Sequence, residues 1–228
     1  MRAVYDSKSN RDDRGIKARL SETEKYRTWL KVEAALALAQ AEEGFIPREA
    51  AEDIASVRFE DLDLEEMDRI KARVGHGFVP FVKVLVKACR GEGAKYVHYG
   101  VTTQNIQQTS QLYITKEVNR VFKSFIADIL DNLGTLAGDN ADTVMAGRTH
   151  GQQAIPITFG YKAAVWASEL RRDIERMEDC RKRCFVGQLS GAVGSMAGFG
   201  ENGREISRRV IEALDLDVAS DFLLVAAT

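Results

Sequence analysis

Proline is nearly absent from this chain: there are three in 228 residues, against plentiful Ala, Leu, Glu, Lys and Arg. So few helix breakers among so many helix formers favour long helices. The cysteines, Cys89, Cys180 and Cys184, are too few and odd in number to build a disulfide framework. They point to reduced thiols and a cytoplasmic protein. Cys180 and Cys184 share a helix face, but no His or acidic cluster completes a ligand set, so no metal site is expected. No uncharged apolar run reaches the roughly 18 residues of a membrane-spanning helix. The first residues, Met1 to Asp6, become charged too soon for a signal peptide. A net charge of -2 removes any general attraction to nucleic acid or membrane. What remains, with 45% hydrophobic and 29% charged residues, is an ordinary globular composition.

The helical pattern is legible along most of the length. Ser21-Glu22-Thr23-Glu24 forms a capping-box sequence ahead of Trp29, Leu30, Val32, Ala35, Leu36 and Ala39, and Gly44 ends the run. Pro47 opens a further short helix, and an acidic amphipathic segment covers 61–73. After the break Val74-Gly75-His76-Gly77-Phe78-Val79-Pro80 comes an apolar run over 81–88. From Asn105 to about Leu136 apolar residues recur at helical spacing, a helix roughly 45 Å long at 1.5 Å per residue. A second long pattern runs from Phe159 to about Phe185, with Ala163, Trp166, Leu170, Ile174 and Met177 on its expected buried face. No segment alternates as a strand should, so an all-α fold is expected. Residues 1–97 read as a small helical domain, and 98–228 as the start of a long-helix bundle. The apolar end Leu223 to Thr228 has no C-cap, which points to a bundle continuing beyond this chain.

Two of the three histidines lie in polar islands just ahead of the long helices. The first is His98-Tyr99-Gly100-Val101-Thr102-Thr103-Gln104-Asn105. Its threonines can cap the helix that follows, whose first amides and positive dipole end suit a carboxylate. The second is Gly147-Arg148-Thr149-His150-Gly151-Gln152-Gln153, read as a loop holding a hydroxyl, a carboxamide and a guanidinium around an imidazole. Such a set can hold a small anion and move a proton near neutral pH. The third histidine, His76, fits either a plain helix break or a functional position. A Gly-rich stretch, Gly187-Gln188-Leu189-Ser190-Gly191-Ala192-Val193-Gly194, interrupts the helical texture. It lets backbone approach a ligand and offers the Ser190 hydroxyl.

In this order the islands resemble the fumarase/aspartase superfamily of lyases, in its branch of adenylosuccinate lyase and 3-carboxy-cis,cis-muconate cycloisomerase. The first is similar to His-Tyr/Trp-Gly-x-Thr-Ser-x-Asp, with Thr103 for Ser and Asn105 for Asp. The second, with Pro156-Ile157-Thr158-Phe159-Gly160, resembles bacterial-type adenylosuccinate lyases nearly residue for residue. Cycloisomerases keep that tail but generally lack the His. The third resembles Gly-Lys-x-Ser-Gly-Ala-Val-Gly, with Gln188 for Lys. Around His76 the lyases carry Thr-x-His-Asp-Val, whereas the Pro80 context here is nearer the cycloisomerases. The early run Trp29 to Pro47 also matches the branch and reads as scaffold.

The resemblance implies an elimination that releases an amine and fumarate from an N-substituted aspartate. His150 would be the general acid, with His98 also catalytic. Thr102, Thr103, Thr149, Gln152, Ser190 and His76 would hold a small dicarboxylate substrate. It implies no cofactor, and a homotetramer whose sites are shared between subunits. The family's Gly-Ser-Ser-x-Met-Pro-x-Lys-x-Asn-Pro loop, source of the catalytic base, has no counterpart in these 228 residues, nor does the N-terminal Arg-Tyr anchor. The chain alone is therefore expected to be inactive. A cycloisomerase-like enzyme and a catalytically silent assembly fragment are the alternatives.

Overall fold

Ser21 accepts a hydrogen bond from the Glu24 amide and starts α2 (Glu22–Glu42), the helix on which the N-terminal half is built. This is a computed structural model, and it describes residues 12–218, the Lys182 side chain excepted. The N-terminal Met1 to Asp6 and the apolar end Leu223 to Thr228 lie outside the described residues. A single turn, α1 (Ile16–Arg19), precedes α2. Then come α3 (Arg48–Ser56), α4 (Leu64–Val74) and α5 (Val79–Ala88). Asp63 caps α4 through the Glu66 amide, and Gly75 ends it in a left-handed conformation. The two long helices are α6 (Thr103–Asp139), of 37 residues, and α7 (Phe159–Cys184), of 26. The last helix is α8 (Gly203–Ala213). Among the described residues, no helix is long and apolar enough to cross a membrane.

Packing divides the chain into two units. One comprises residues up to Lys116 together with those from Phe185 onward; the other is Glu117–Cys184. The first unit therefore draws residues from both sides of the boundary expected at 97 and 98. The physical reason is the apolar face of α8. Ile206, Val210 and Ile211 are fully buried in the same core as Trp29, Val32 and Leu36 of α2. That core is aromatic at its centre. Trp29 meets Phe78 at 4.7 Å and Phe81 at 5.4 Å between ring centroids, while Tyr26 packs edge-on to Trp29 at 5.3 Å. Beyond the Gly-rich stretch, backbone bonds from Gly187 to Asp217 and from Asp217 to Phe185 tie both ends of the second segment together.

The fold is all-α as expected, and the second unit adds one small departure from it, a hairpin where the sequence shows no convincing strand alternation. Val144–Thr149 (β1) and Gln152–Thr158 (β2) pair as an antiparallel hairpin, in register from Val144 opposite Thr158 to Thr149 opposite Gln152. Gly147 and Pro156 hid it, since both weaken a strand pattern. Between Ala146 and Arg148 the register shifts so that Gly147 alone faces Ala154 and Ile155, the bulged pair of β2, and a Cβ on Gly147 would lie 2.7 Å from the Ile155 carbonyl. Pro156 is tolerated because a two-stranded ribbon is all edge. The buried face expected for α7 is likewise only partly buried: Ala163 is fully covered, but Trp166 is 44% exposed. Phe122, Ile129 and Leu136 are exposed at seven-residue intervals along α6.

Candidate functional site

His98 sits at a bend of positive φ (61°) between the 3-10 turn Glu92–Lys95 and the start of α6. A non-glycine residue there needs support from its surroundings. The support comes from Glu33 on α2. One carboxylate oxygen lies 2.7 Å from His98 Nδ1, and the other accepts the His98 backbone N–H at 3.2 Å. Glu33 is 1% exposed, and the His98 ring leans on Phe78 at 5.2 Å. Two turns along the same helix, Gln40 donates to the Tyr99 carbonyl at 2.7 Å. Two buried polar side chains of α2 thus grip consecutive residues of the island. Neither was foreseen from the sequence, which treats this helix as scaffold. The available signal was a carboxylate and a carboxamide on the Trp29–Val32–Leu36–Ala39 stripe, where a buried polar group needs a partner.

The island is also clasped to the Gly-rich stretch. Buried Asn105 accepts from the Thr102 amide at 3.3 Å and from the Gly191 amide at 3.0 Å. Thr109, one turn later, donates to the Gln188 carbonyl at 2.9 Å and accepts its amide at 3.2 Å. Gly100, at φ 77°, lies so close to Gly198 that a Cβ would stand 2.6 Å from the Gly198 carbonyl oxygen. Asn105, in the first turn of α6, thus accepts the amide just ahead of the helix, and neither threonine side chain caps the turn. Thr102 and Thr103 make no side-chain hydrogen bond among the described residues, and both are partly exposed. Ser190, next to Gly191 in this clasp, is buried. A cavity of about 420 Å³ opens against the same first turns of α6, with Gln104, Gln107 and Gln108 facing Lys25 and Arg19.

His76 caps α5: its Nδ1 accepts the amides of Phe78 and Val79, both at 3.1 Å. The residue itself is exposed. Its break delivers Phe78 into the core and against the His98 ring.

In the second unit, His150 and Gly151 form the two-residue turn of the hairpin, with φ of 49° and 75°. Two positive φ values in succession are those of a type I′ turn, the connection that suits strand twist. Thr149 and Gln152 face each other as the closing pair. His150, Thr149 and Gln152 are exposed and make no side-chain hydrogen bond among the described residues. The polar loop expected here is thus a hairpin tip that exposes an imidazole, a hydroxyl and a carboxamide. Cys180 and Cys184 are both exposed, and no group of three potential metal ligands occurs among the described residues.

Comparison with known proteins places these motifs in context. A family model described as lyase matches residues 8–223. The chain is 41% identical over 199 residues to an adenylosuccinate lyase of Methanocaldococcus jannaschii, covering 86% of this chain and 43% of that protein. It is equally 41% identical, over 189 residues, to an N-acetyl-S-(2-succino)cysteine lyase of Enterococcus italicus, covering 82% and 41%. A fumarate lyase from Mesorhizobium sp. BNC1 superposes with a TM-score of 0.85 at 34% identity, covering 94% of this chain and 51% of that one. The β-carboxy-cis,cis-muconate cycloisomerase of Acinetobacter calcoaceticus sp. ADP1 also gives 0.85, at 31% identity, covering 91% and 49%. The chain spans less than half the length of the two relatives and about half that of the two structures.

Proposed function

The chain belongs to the lyase family, in the fumarase/aspartase superfamily, and from that premise we propose that the intact protein eliminates an amine from an N-substituted aspartate, releasing fumarate. The observation that carries this reading is His150 on its hairpin tip, exposed and without a hydrogen-bond partner among the described residues. In the proposed reaction a base removes a proton from the carbon beside a carboxylate. The electron pair left behind becomes the new C=C bond as the C–N bond breaks. His150 gives its proton to the departing nitrogen, so that a neutral amine leaves. Charge built up on the carboxylate must meet fixed donors for the first step to proceed. Thr102, Thr103, Thr149, Gln152 and Ser190 take that role, with His76 at the margin of the pocket and His98 completing the acid side. No redox or metal chemistry is needed. The base comes from a serine outside these residues, so the 228 residues alone release no fumarate.

The same reading makes the protein a homotetramer, with His98 and His150 of one site drawn from different subunits. The apolar stripe Phe122–Ile129–Leu136, with Trp166 and Val165 of α7, supports it. Helices of this length hide such residues by packing on other helices. The division at 97 and 98 belongs to this proposal as well, as a boundary of the whole enzyme.

A second reading replaces the amine with a thiol, favoured by the equal identity to a lyase named for a succinylated cysteine. A cycloisomerase-like reaction is favoured by the contexts of Pro80 and Pro156. The test is product release by this chain assembled with its complementary C-terminal half. Substrates would be adenylosuccinate, other N-substituted aspartates, N-acetyl-S-(2-succino)cysteine and 3-carboxy-cis,cis-muconate. Fumarate from an N-substituted aspartate alone supports the amine; fumarate from the thioether alone, or lactone alone, replaces it.

A further inference from the structure

The contact between Glu33 and His98 joins a helix with no assigned chemistry to a proposed catalytic group. Glu33 occupies a core position between Trp29 and Leu36, where an apolar side chain would pack without cost. A carboxylate at 1% exposure must be compensated. Both its oxygens are engaged, one by the His98 amide and one by the His98 ring. Against an ionised carboxylate, which can only accept, the hydrogen sits on Nδ1. That leaves Nε2 as the ring's lone pair when the imidazole is neutral. Nε2 has no partner among the described residues, and the side chain keeps 18% exposure. Phe78 blocks rotation of the ring from one side.

We infer that Glu33 is the positioning residue for His98: it fixes the Nδ1–H tautomer and so presents Nε2 to the substrate as the proton-accepting or proton-donating atom. This rests on the proposed elimination only for its consequence in turnover. The carboxylate–imidazole pair acts on ring orientation and tautomer, as outer partners of functional histidines do. The structure contains its own control. His76 accepts two amide protons at Nδ1, so its hydrogen belongs on Nε2, the opposite tautomer.

The experiment is a long-range proton–nitrogen correlation spectrum of the histidine-labelled 228-residue chain, recorded across the pH range in which it stays folded. His98 is assigned by loss of its signals in His98→Gln. The expected result is an Nδ1 of His98 that remains protonated throughout, while His76 shows the reverse pattern. In Glu33→Met, which keeps the volume but removes the acceptor, His98 should revert to the Nε2–H form that free imidazole prefers. Glu33→Asp should restore the Nδ1–H form. A wild-type His98 with its lone pair on Nδ1, or a Glu33→Met chain that keeps Nδ1–H, overturns the inference. In the assembled enzyme, Glu33→Met should lower kcat by about 10–100-fold with a smaller change in KM, and Glu33→Asp should recover part of it. An altered tautomer with unchanged kcat removes the catalytic consequence. Absence of fumarate from the wild-type enzyme refutes the elimination but not the tautomer.

Discussion

Gly100 is the residue at which the two loops of the first unit come closest, and alanine there tests the contact directly. Two costs combine. At φ 77° an L side chain is strained whatever space surrounds it, by about 1–2 kcal/mol. The added Cβ would also stand 2.6 Å from the Gly198 carbonyl and 3.1 Å from the Phe199 ring. The nearest atom is backbone, so a segment must shift rather than a side chain turn. Overpacking of that kind costs about 1–3 kcal/mol. Gly100→Ala should therefore destabilise the first unit by roughly 2–5 kcal/mol, a drop in Tm of roughly 5–15 °C at this chain length.

Two companions separate the costs. Gly44 has φ 68° with nothing within 4 Å of its would-be Cβ, so Gly44→Ala carries the strain alone. Gly198 is not in the left-handed region, but its Cβ would meet the Gly100 carbonyl at 2.5 Å, so Gly198→Ala carries the contact alone. Thermal unfolding by circular dichroism at a common pH ranks the three. Gly100→Ala should be the lowest, below Gly44→Ala by at least about 1 kcal/mol, the lower bound of the overpacking cost. Equal midpoints for Gly100→Ala and Gly44→Ala would refute the close approach of the two backbones.

Other expectations follow from the same geometry. In the assembled enzyme His150→Gln should lower kcat by roughly 100-fold or more, with little change in KM; a near-normal kcat leaves the hairpin tip without an acid. Asn105→Ala strands the buried Gly191 amide and frees the Thr102 amide, at about 1–3 kcal/mol for an unsatisfied buried group; urea unfolding indistinguishable from wild type contradicts the clasp. Burial raises the Cys89 thiol to about 11, while Cys180 and Cys184 are exposed. Iodoacetamide at pH 8 should thus label two thiols quickly and the third slowly, as mass spectrometry would report. The sign for stability is that a raised folded pKa favours the fold below the unfolded value near 9. That contribution is lost as pH climbs from there through about 11. Equal labelling of all three cysteines would count against the burial.

Much of the architecture was legible in order along the chain. The cap at Ser21, the stop at Gly44, the break around Gly75 and both long helices lie close to where pattern and turn chemistry put them. These are local events, decided within a few residues by capping, φ preference and a helical apolar stripe. The hairpin was not legible. Its strands are mostly exposed, so no alternation of burial was imposed on them, and Gly147 and Pro156 interrupt what pattern there is. Trp166 shows a related limit: spacing identifies an apolar stripe, but which neighbour covers it is a tertiary matter.

The candidate site divides the same way. Sequence alone determined the chemistry on offer: three histidines, their threonine, serine and carboxamide neighbours, and the family those motifs resemble. It also determined that the chain is overwhelmingly helical, because so little in it can break a helix. Only the tertiary structure decided how those groups are held. It made His76 a helix cap, put His150 on a two-residue turn, gave Asn105 the task of joining two loops 86 residues apart, and set Glu33 against His98 across 65. No periodicity within a segment encodes such pairings. They arise because burying the face of α2 also buries its carboxylate, and a buried charge takes whichever donor the fold brings to it.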